Sequence, residues 1–541
     1  MRRVWGFLRQ GGWAALLAIL LGFPAGGASS AGETPVLPRG HVFLETGFEG
    51  ADALQGWQGE GCCVAGYEGG QSLMVERATG GASGGAMLQK AIPVEAMRGY
   101  TVYGSAMVKA EGVTAKPRPW NGVKFMVCVD TPGGKLWPNA TTETGTFDWR
   151  RATFVARIPP DATAVTLFLG LEAVTGKAWF DDVKLYVGKP PLAAKPRPVV
   201  TTGLARDVPR LRGAMISPDI NEAGLRTLGK EWNANVLRWQ LIRYVGQGKP
   251  TPPPAEYDAW LEGELKRLDA ALPLCEQYGL HVVVDLHSPP GGSAKRTGYL
   301  GSDDRLFTEK ASQDKFVAVW EKMARRYKGA RPVWGYDLAN EPVEEAVGDD
   351  CLDWRDLAER AAKAIRAIDP DRAVIVEPAD WGGPDGLRDF APLDVPNVVY
   401  SVHMYIPSQF THQGVFAPSK PVPYPGEIEG RVWDRARLEA ALKPVVDFQK
   451  ACGARIYIGE FSAIRWAPDA GAQRYLKDVI DIFEANGWDW TYHAFREWQG
   501  WSVEHGTGKD DTKPAAAPTD RQKLLTNWFA KNRKPAWMSG P

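Results

Sequence analysis

The sequence is poor in cysteine and histidine and has no excess of either charge, and each shortage narrows what the protein can do. Its 541 residues carry six cysteines, none in a C-x-x-C pair or a Cys/His ligand spacing, so neither a zinc site nor a disulfide-dense scaffold is supported. Lys+Arg and Asp+Glu both number 64; with the charges cancelled there is no field to draw in nucleic acid or an anionic membrane surface. Long apolar runs are missing as well. The one candidate, Trp13 to Phe23 (WAALLAILLGF), falls short of the roughly 20 residues that span a bilayer. It follows Arg2 and Arg3 and precedes Ser29-Ser30-Ala31, the three-part pattern of a secretory signal peptide over residues 1–31. The expected mature chain is secreted or periplasmic, with no membrane span.

Hydrophobic residues at 44% against 24% charged ones describe a chain that buries a core, and its length calls for more than one domain. From 41 to 187 short alternating segments such as SLMVERA, GVKFMVCVD and AVTLFLGLEA are separated by Gly, Pro, Asn and Asp turns, the pattern of an antiparallel sandwich. Residues 188–199 (GKPPLAAKPRPV) concentrate proline and read as a semi-rigid linker. From 200 to 541 buried strands alternate with helical spacing. The strands are expected at 213–217, 234–239, 281–287, 333–339, 373–377, 397–403, 455–460 and 488–495. Eight such units predict an α/β fold, a (β/α)8 TIM barrel behind an N-terminal all-β sandwich. No G-x-G-x-x-G follows the first strand, which disfavours a doubly wound sheet.

In a parallel barrel the chemistry sits at the C-terminal ends of the strands, and there this sequence turns polar. Strand 2 ends near Arg238, strand 3 in Asp285-Leu286-His287, strand 4 in Asn340-Glu341-Pro342, strand 6 in His403-Met404-Tyr405 and strand 7 in Gly459-Glu460-Phe461. Period-two alternation puts His403 with Tyr405, and Asp285 with His287, on one face. Two glutamates with no metal-ligand pattern suggest hydrolysis of a glycosidic bond by paired carboxylates, one protonated to release the leaving group and one ionised to attack. Arg238 and Tyr405 would hold one carboxylate as the anion, while burial and Asn340 would favour the neutral acid. A surplus of 22 tryptophans suits stacking on sugar rings.

From about Leu211 to Trp501 the chain resembles glycoside hydrolase family 5, the cellulase-type retaining hydrolases, through NANVLRW, VVVDLHS, YDLANEP, YSVHMY and YIGEFS. The resemblance implies that Glu341 is the acid/base and Glu460 the nucleophile, with Arg238, His287, Asn340, His403 and Tyr405 as supporting positions around the nucleophile and the sugar. The family tends to place a sugar-stacking Trp after strand 8; here His493 stands in that position, and Trp498 is the substitute. The segment Ile406 to Val432, with Phe410, His412, Phe416 and Tyr424, is a candidate cleft wall. The sandwich resembles carbohydrate-binding modules of the family 4, 9 and 22 type through Glu45-Thr46-Gly47-Phe48-Glu49 and the stretch Ala178 to Leu185. That likeness implies a structural calcium involving Asp182, and Trp57, Tyr67, Trp120 and Trp137 are its candidate stacking residues. The expected activity is an endo-β-1,4-glucanase on a polysaccharide or oligosaccharide, with no catalytic cofactor. An exo-acting glycosidase or hemicellulase of the same family, and a non-catalytic carbohydrate-binding protein, are the alternatives.

Overall fold

The computed structural model describes residues 36–538, apart from 79–83, 119, 190, 192–197, 203–205, 246–253, 298–300, 349 and 417. The expected signal peptide, residues 1–31, lies outside the described residues, as does most of the expected linker.

Ten strands form the N-terminal unit: β1 (Val42–Thr46), β2 (Cys62–Ala65), β3 (Gln71–Arg77), β4 (Gly85–Ile92), β5 (Thr101–Val113), β6 (Gly122–Thr131), β7 (Gly134–Leu136), β8 (Gly145–Arg157), β9 (Ala164–Glu172) and β10 (Gly176–Lys189). They make two antiparallel sheets, β2-β3-β10-β5-β8 with β1 on β10, and β4-β9-β6-β7. Alternate residues of β3, β5 and β10, such as Leu73, Val75, Val108 and Phe180, meet Phe125, Val127, Leu167 and Leu169 of the facing sheet in one apolar core. Of the candidate stacking residues, Trp57 packs on Phe48 and Tyr67 on Trp149, whereas Trp120 and Trp137 are exposed. Beside Asp182, the buried Asp181 accepts the backbone N–H groups of Tyr67 and Asp182. All six cysteines are free thiols.

The second unit comprises β11 (Arg212–Ile216), β12 (Val236–Gln240), β13 (His281–Asp285), a hairpin of β14 (Ala294–Thr297) and β15 (Gly301–Asp303), β16 (Val333–Asp337), β17 (Ala373–Val376), β18 (Val398–Met404), a hairpin of β19 (Gly426–Ile428) and β20 (Arg431–Trp433), β21 (Arg455–Phe461) and β22 (Asp489–Phe495). Eight of these close a parallel barrel, β11-β12-β13-β16-β17-β18-β21-β22, with β22 pairing back onto β11. Helices cover its outside. Helix Trp354–Ile368 starts where the Asp353 side chain accepts the Asp356 N–H, and it buries Trp354, Leu357, Ala358, Ala361, Ala362 and Ile365. That three-and-four spacing turns one face to the barrel. Helix Gly471–Asn486 ends at Gly487, whose φ of 79° fits the left-handed cap.

Within the barrel, alternation decides what lies inside. Leu237, Trp239, Val282 and Val284 point outward to the helices, and their neighbours point in. Val236, Val283, Trp334, Ala373, Ile375, Val399 and Tyr457 fill the lower interior. Higher on the same face the residues become Arg238, Gln240, Asp285, Glu377, Ser401 and His403, all buried. The sandwich touches the barrel through Arg39 with Asp353, Lys189 and Tyr103 with Glu344, and a small patch of Tyr103, Val347 and Cys351. Among the described residues no helix is long and apolar enough to cross a membrane.

Candidate active site

Arg238 is the hub of the upper barrel. Fully buried on β12, its guanidinium donates to Glu460 Oε1 at 2.6 Å, Asp337 Oδ2 at 2.9 Å, and Asn340 Oδ1 and Glu377 Oε1 at 3.1 Å, with Asp285 Oδ1 also at 3.1 Å. A planar guanidinium with five fixed donors suits this divergent set of acceptors better than an ammonium would. Burial disfavours the cation, but the surrounding carboxylates outweigh it and hold Arg238 firmly charged. Burial also drives Asp337 well above the usual carboxylate range despite Arg238, which limits the negative charge packed around one cation.

Glu460, near the end of β21, has a partner on each oxygen. Arg238 takes Oε1, and Tyr405 OH donates to Oε2 at 2.9 Å. Because the phenol has one proton, the 2.5 Å contact between Tyr405 OH and His493 Nδ1 places the second donor on the imidazole. His493 Nδ1 also lies 3.4 Å from Glu460 Oε2, and its Nε2 lies 3.4 Å from Glu497, which accepts from Gln240 at 2.8 Å. Burial opposes ionisation of Glu460, yet His403, His493, Arg238 and His287 together hold it well below the usual carboxylate range.

Glu341 follows β16 in a left-handed backbone conformation, φ 44°, and its N–H is taken by Glu377 Oε2 at 2.9 Å. Its side chain meets His403 Nδ1 at 2.8 Å through Oε1. Burial pushes this carboxyl up, Glu460 and Glu377 add to the effect, and His403 holds it back in part. The two glutamates are therefore driven in opposite directions. One carboxylate oxygen of each and a ring nitrogen of His403 lie within 4.8 Å of one another. Burial disfavours the His403 cation, while Glu377, Glu460 and Glu341 outweigh it and raise its pKa well above the ordinary value.

Seven of the eight residues singled out from the sequence meet here. Glu341, Glu460, Arg238, His403 and Tyr405 are in direct contact, and His287 is held by Asp285 at 2.8 Å through Nδ1. Asn340 is present as well, and its side-chain oxygen accepts from Arg238 at 3.1 Å. Trp498 is the outlier: it packs edge-on against Trp466 and Trp501 and is 38% exposed. Trp501 lies nearer, against Tyr405, His412 and His493. Sequence reasoning also passed over Glu377, Gln240, Glu497 and Trp501. Glu377 closes the AVIVE segment and Gln240 stands two residues after Arg238 on the same face, so strand position was the available signal for both.

The family model described as Cellulase (glycosyl hydrolase family 5) matches residues 199–498. Endoglucanase C of Acetivibrio thermocellus is 29% identical over 262 residues, covering 43% of this chain and 73% of that protein. Cellodextrinase A of Ruminococcus flavefaciens is 28% identical over 243 residues, 44% of this chain and 69% of that protein. A solved structure of endoglucanase Cel5A from Thermotoga maritima is 23% identical and covers 58% of this chain and 96% of that one, with a TM-score of 0.44.

Proposed function

The chain belongs to glycosyl hydrolase family 5 and is a glycoside hydrolase, and from that premise we propose that it cleaves β-1,4-glucan chains internally, with retention, by double displacement between Glu341 and Glu460. The observation that carries this reading is the glutamate pair: carboxylate oxygens within 4.8 Å and opposite pKa displacements. Retaining enzymes keep their two carboxyl groups about 5–5.5 Å apart, whereas inverting ones separate them by about 6.5–9.5 Å to admit a water. In the first step Glu460 attacks the anomeric carbon while Glu341 passes its proton to the departing glycosidic oxygen. Glu341, now a base, then takes a proton from water as that water displaces Glu460 from the same carbon. His403 occupies Glu341 Oε1, which leaves Oε2 to carry the proton. Arg238 and Tyr405 orient Glu460 and keep it ionised. The side chains supply both proton and nucleophile, so no cofactor step is required. β-1,4-Glucan as substrate draws support from the relatives named endoglucanase and cellodextrinase, and an extracytoplasmic site of action from the signal-like start of the sequence.

The test is Glu460→Ala on carboxymethylcellulose and on an aryl cellobioside. Turnover should fall on the order of 10⁴-fold or more, and azide should restore reaction on the aryl substrate as a glycosyl azide of inverted configuration. Wild-type turnover in the variant would reject Glu460 as nucleophile.

A further inference from the structure

Between sandwich and barrel lies a cleft of about 730 Å³, in the range of small-ligand sites, about 300–1,000 Å³. Its sandwich wall is Lys135 to Asn139 with residues of β8, including Arg157; its barrel wall is Val343, Glu344 and the loop Ala379 to Trp381. Each wall carries an outward-facing indole, Trp137 at 51% and Trp381 at 40% exposure.

Both indoles are held by backbone contacts. The Trp137 segment is tied along β6 by Val127 N–H to Pro138 O at 3.0 Å and Ala140 N–H to Phe125 O at 2.9 Å. Asp380 and Trp381 take consecutive left-handed conformations, φ 75° and 61°, in a turn pinned to the reaction centre. Trp381 N–H donates to Pro342 O at 3.3 Å, and His403 N–H to Gly382 O at 2.9 Å. Glycine is required at 382, where φ is 63° and a Cβ would stand 2.5 Å from Glu377 Oε2. Exposed indoles flanked by Lys135, Arg157, Asp380 and Asp389 offer apolar faces for sugar C–H groups and a polar rim for hydroxyls.

The cleft lining includes Val343, two residues after Glu341, and Trp381, whose N–H donates to the Pro342 carbonyl, so the cleft runs beside the residue that would protonate the departing oxygen. We propose that it holds the leaving-group arm of a β-glycan, stacked on Trp137 and Trp381, so that the sandwich supplies a subsite to the barrel's reaction. This rests on Glu341 acting as the acid.

The experiment compares kcat/KM for cellohexaose with that for an aryl cellobioside, whose small leaving group does not extend to the sandwich. In Trp137→Ala the cellohexaose value should fall about fivefold to tenfold further than the aryl one, the scale of one lost aromatic contact. Trp137→Phe, which keeps a stacking face, should recover most of it; a purely structural role would lower both substrates together. Cellohexaose affinity by calorimetry in a Glu341→Gln background should weaken similarly when Trp137→Ala is added. An unchanged ratio with unchanged affinity overturns the subsite while leaving the hydrolase reading intact. A wild type that cleaves neither substrate defeats the hydrolase reading, and absence of calorimetric binding then defeats the subsite as well.

Discussion

The floor and the mouth of the barrel are built from alternate residues of the same strands, yet they have opposite chemistry. Two residues along β12 take Val236 to Arg238, two along β13 take Val283 to Asp285, and two take Ile375 of β17 to Glu377. The floor is a buried, apolar plug whose contribution is packing. The mouth gathers four carboxyl groups around one guanidinium, an arrangement that stabilises little in itself because desolvating charges offsets their attraction. What the mouth gains is a fixed field that separates the protonation of two glutamates, and the floor supplies the rigidity that lets it persist.

The contrast can be broken most severely at the acid. Glu341→Gln should lower hydrolysis of a natural glucan by about 10²–10⁴-fold, the usual worth of general acid–base help. The loss should be much smaller on an aryl glycoside whose leaving group needs no proton; equal losses would remove Glu341 from the acid role. Next in size, Arg238→Met should destabilise the fold by about 3–5 kcal/mol by leaving buried carboxylates without their cation, and should depress turnover at the same time. Ile375→Ala, one step below, should lose about 2–5 kcal/mol through a cavity while folded molecules keep their kcat. Denaturant titration with kinetics on both variants separates the two halves; a floor variant with normal stability and poor turnover would erase the distinction.

The smallest effect sharpens the mouth itself. As the proposed nucleophile, Glu460 must be ionised to attack, and His493 is among the cations that hold its pKa down. In His493→Gln that pKa should rise, so the acidic limb of kcat/KM should move to higher pH. The basic limb reports Glu341, whose proton is retained above the ordinary carboxylate range. An acidic limb that stays in place would show that His493 acts only as a hydrogen-bond donor to Tyr405.

All eight barrel strands were legible because each is a short apolar run ending in a turn or polar cluster, and the observed limits differ from the expected ones by two residues or fewer at every end. The glutamates were legible for the same reason: they stand at strand ends, and a resemblance singled them out. Asn340 was readable as a member of the site but not in its partner, because which atom an amide serves depends on Arg238 arriving from another strand. Glu377 closes a run that looks like ordinary core. Trp381 owes its place to two successive left-handed residues, and neither residue type announces that geometry. Trp498 was chosen by distance along the chain from strand 8, whereas the ring that reaches Tyr405 and His493 is Trp501, brought back by a turn in which its N–H donates to Trp498 O.

Glu344 lies three residues beyond Glu341, its side chain 2% exposed, with Lys189 Nζ at 3.1 Å, Tyr103 OH and the Trp354 N–H as its partners. Burial alone would protonate it; Lys189 is the first of the groups that keep its pKa low. Two of those partners come from the other unit of the chain. Cutting at the proline-rich segment, the natural place to separate two modules, would therefore strand a buried acid three residues from Glu341, the proposed acid. The two units thus share one buried ion pair, and a barrel expressed without the sandwich is expected to lose stability unless the partner of Glu344 is replaced.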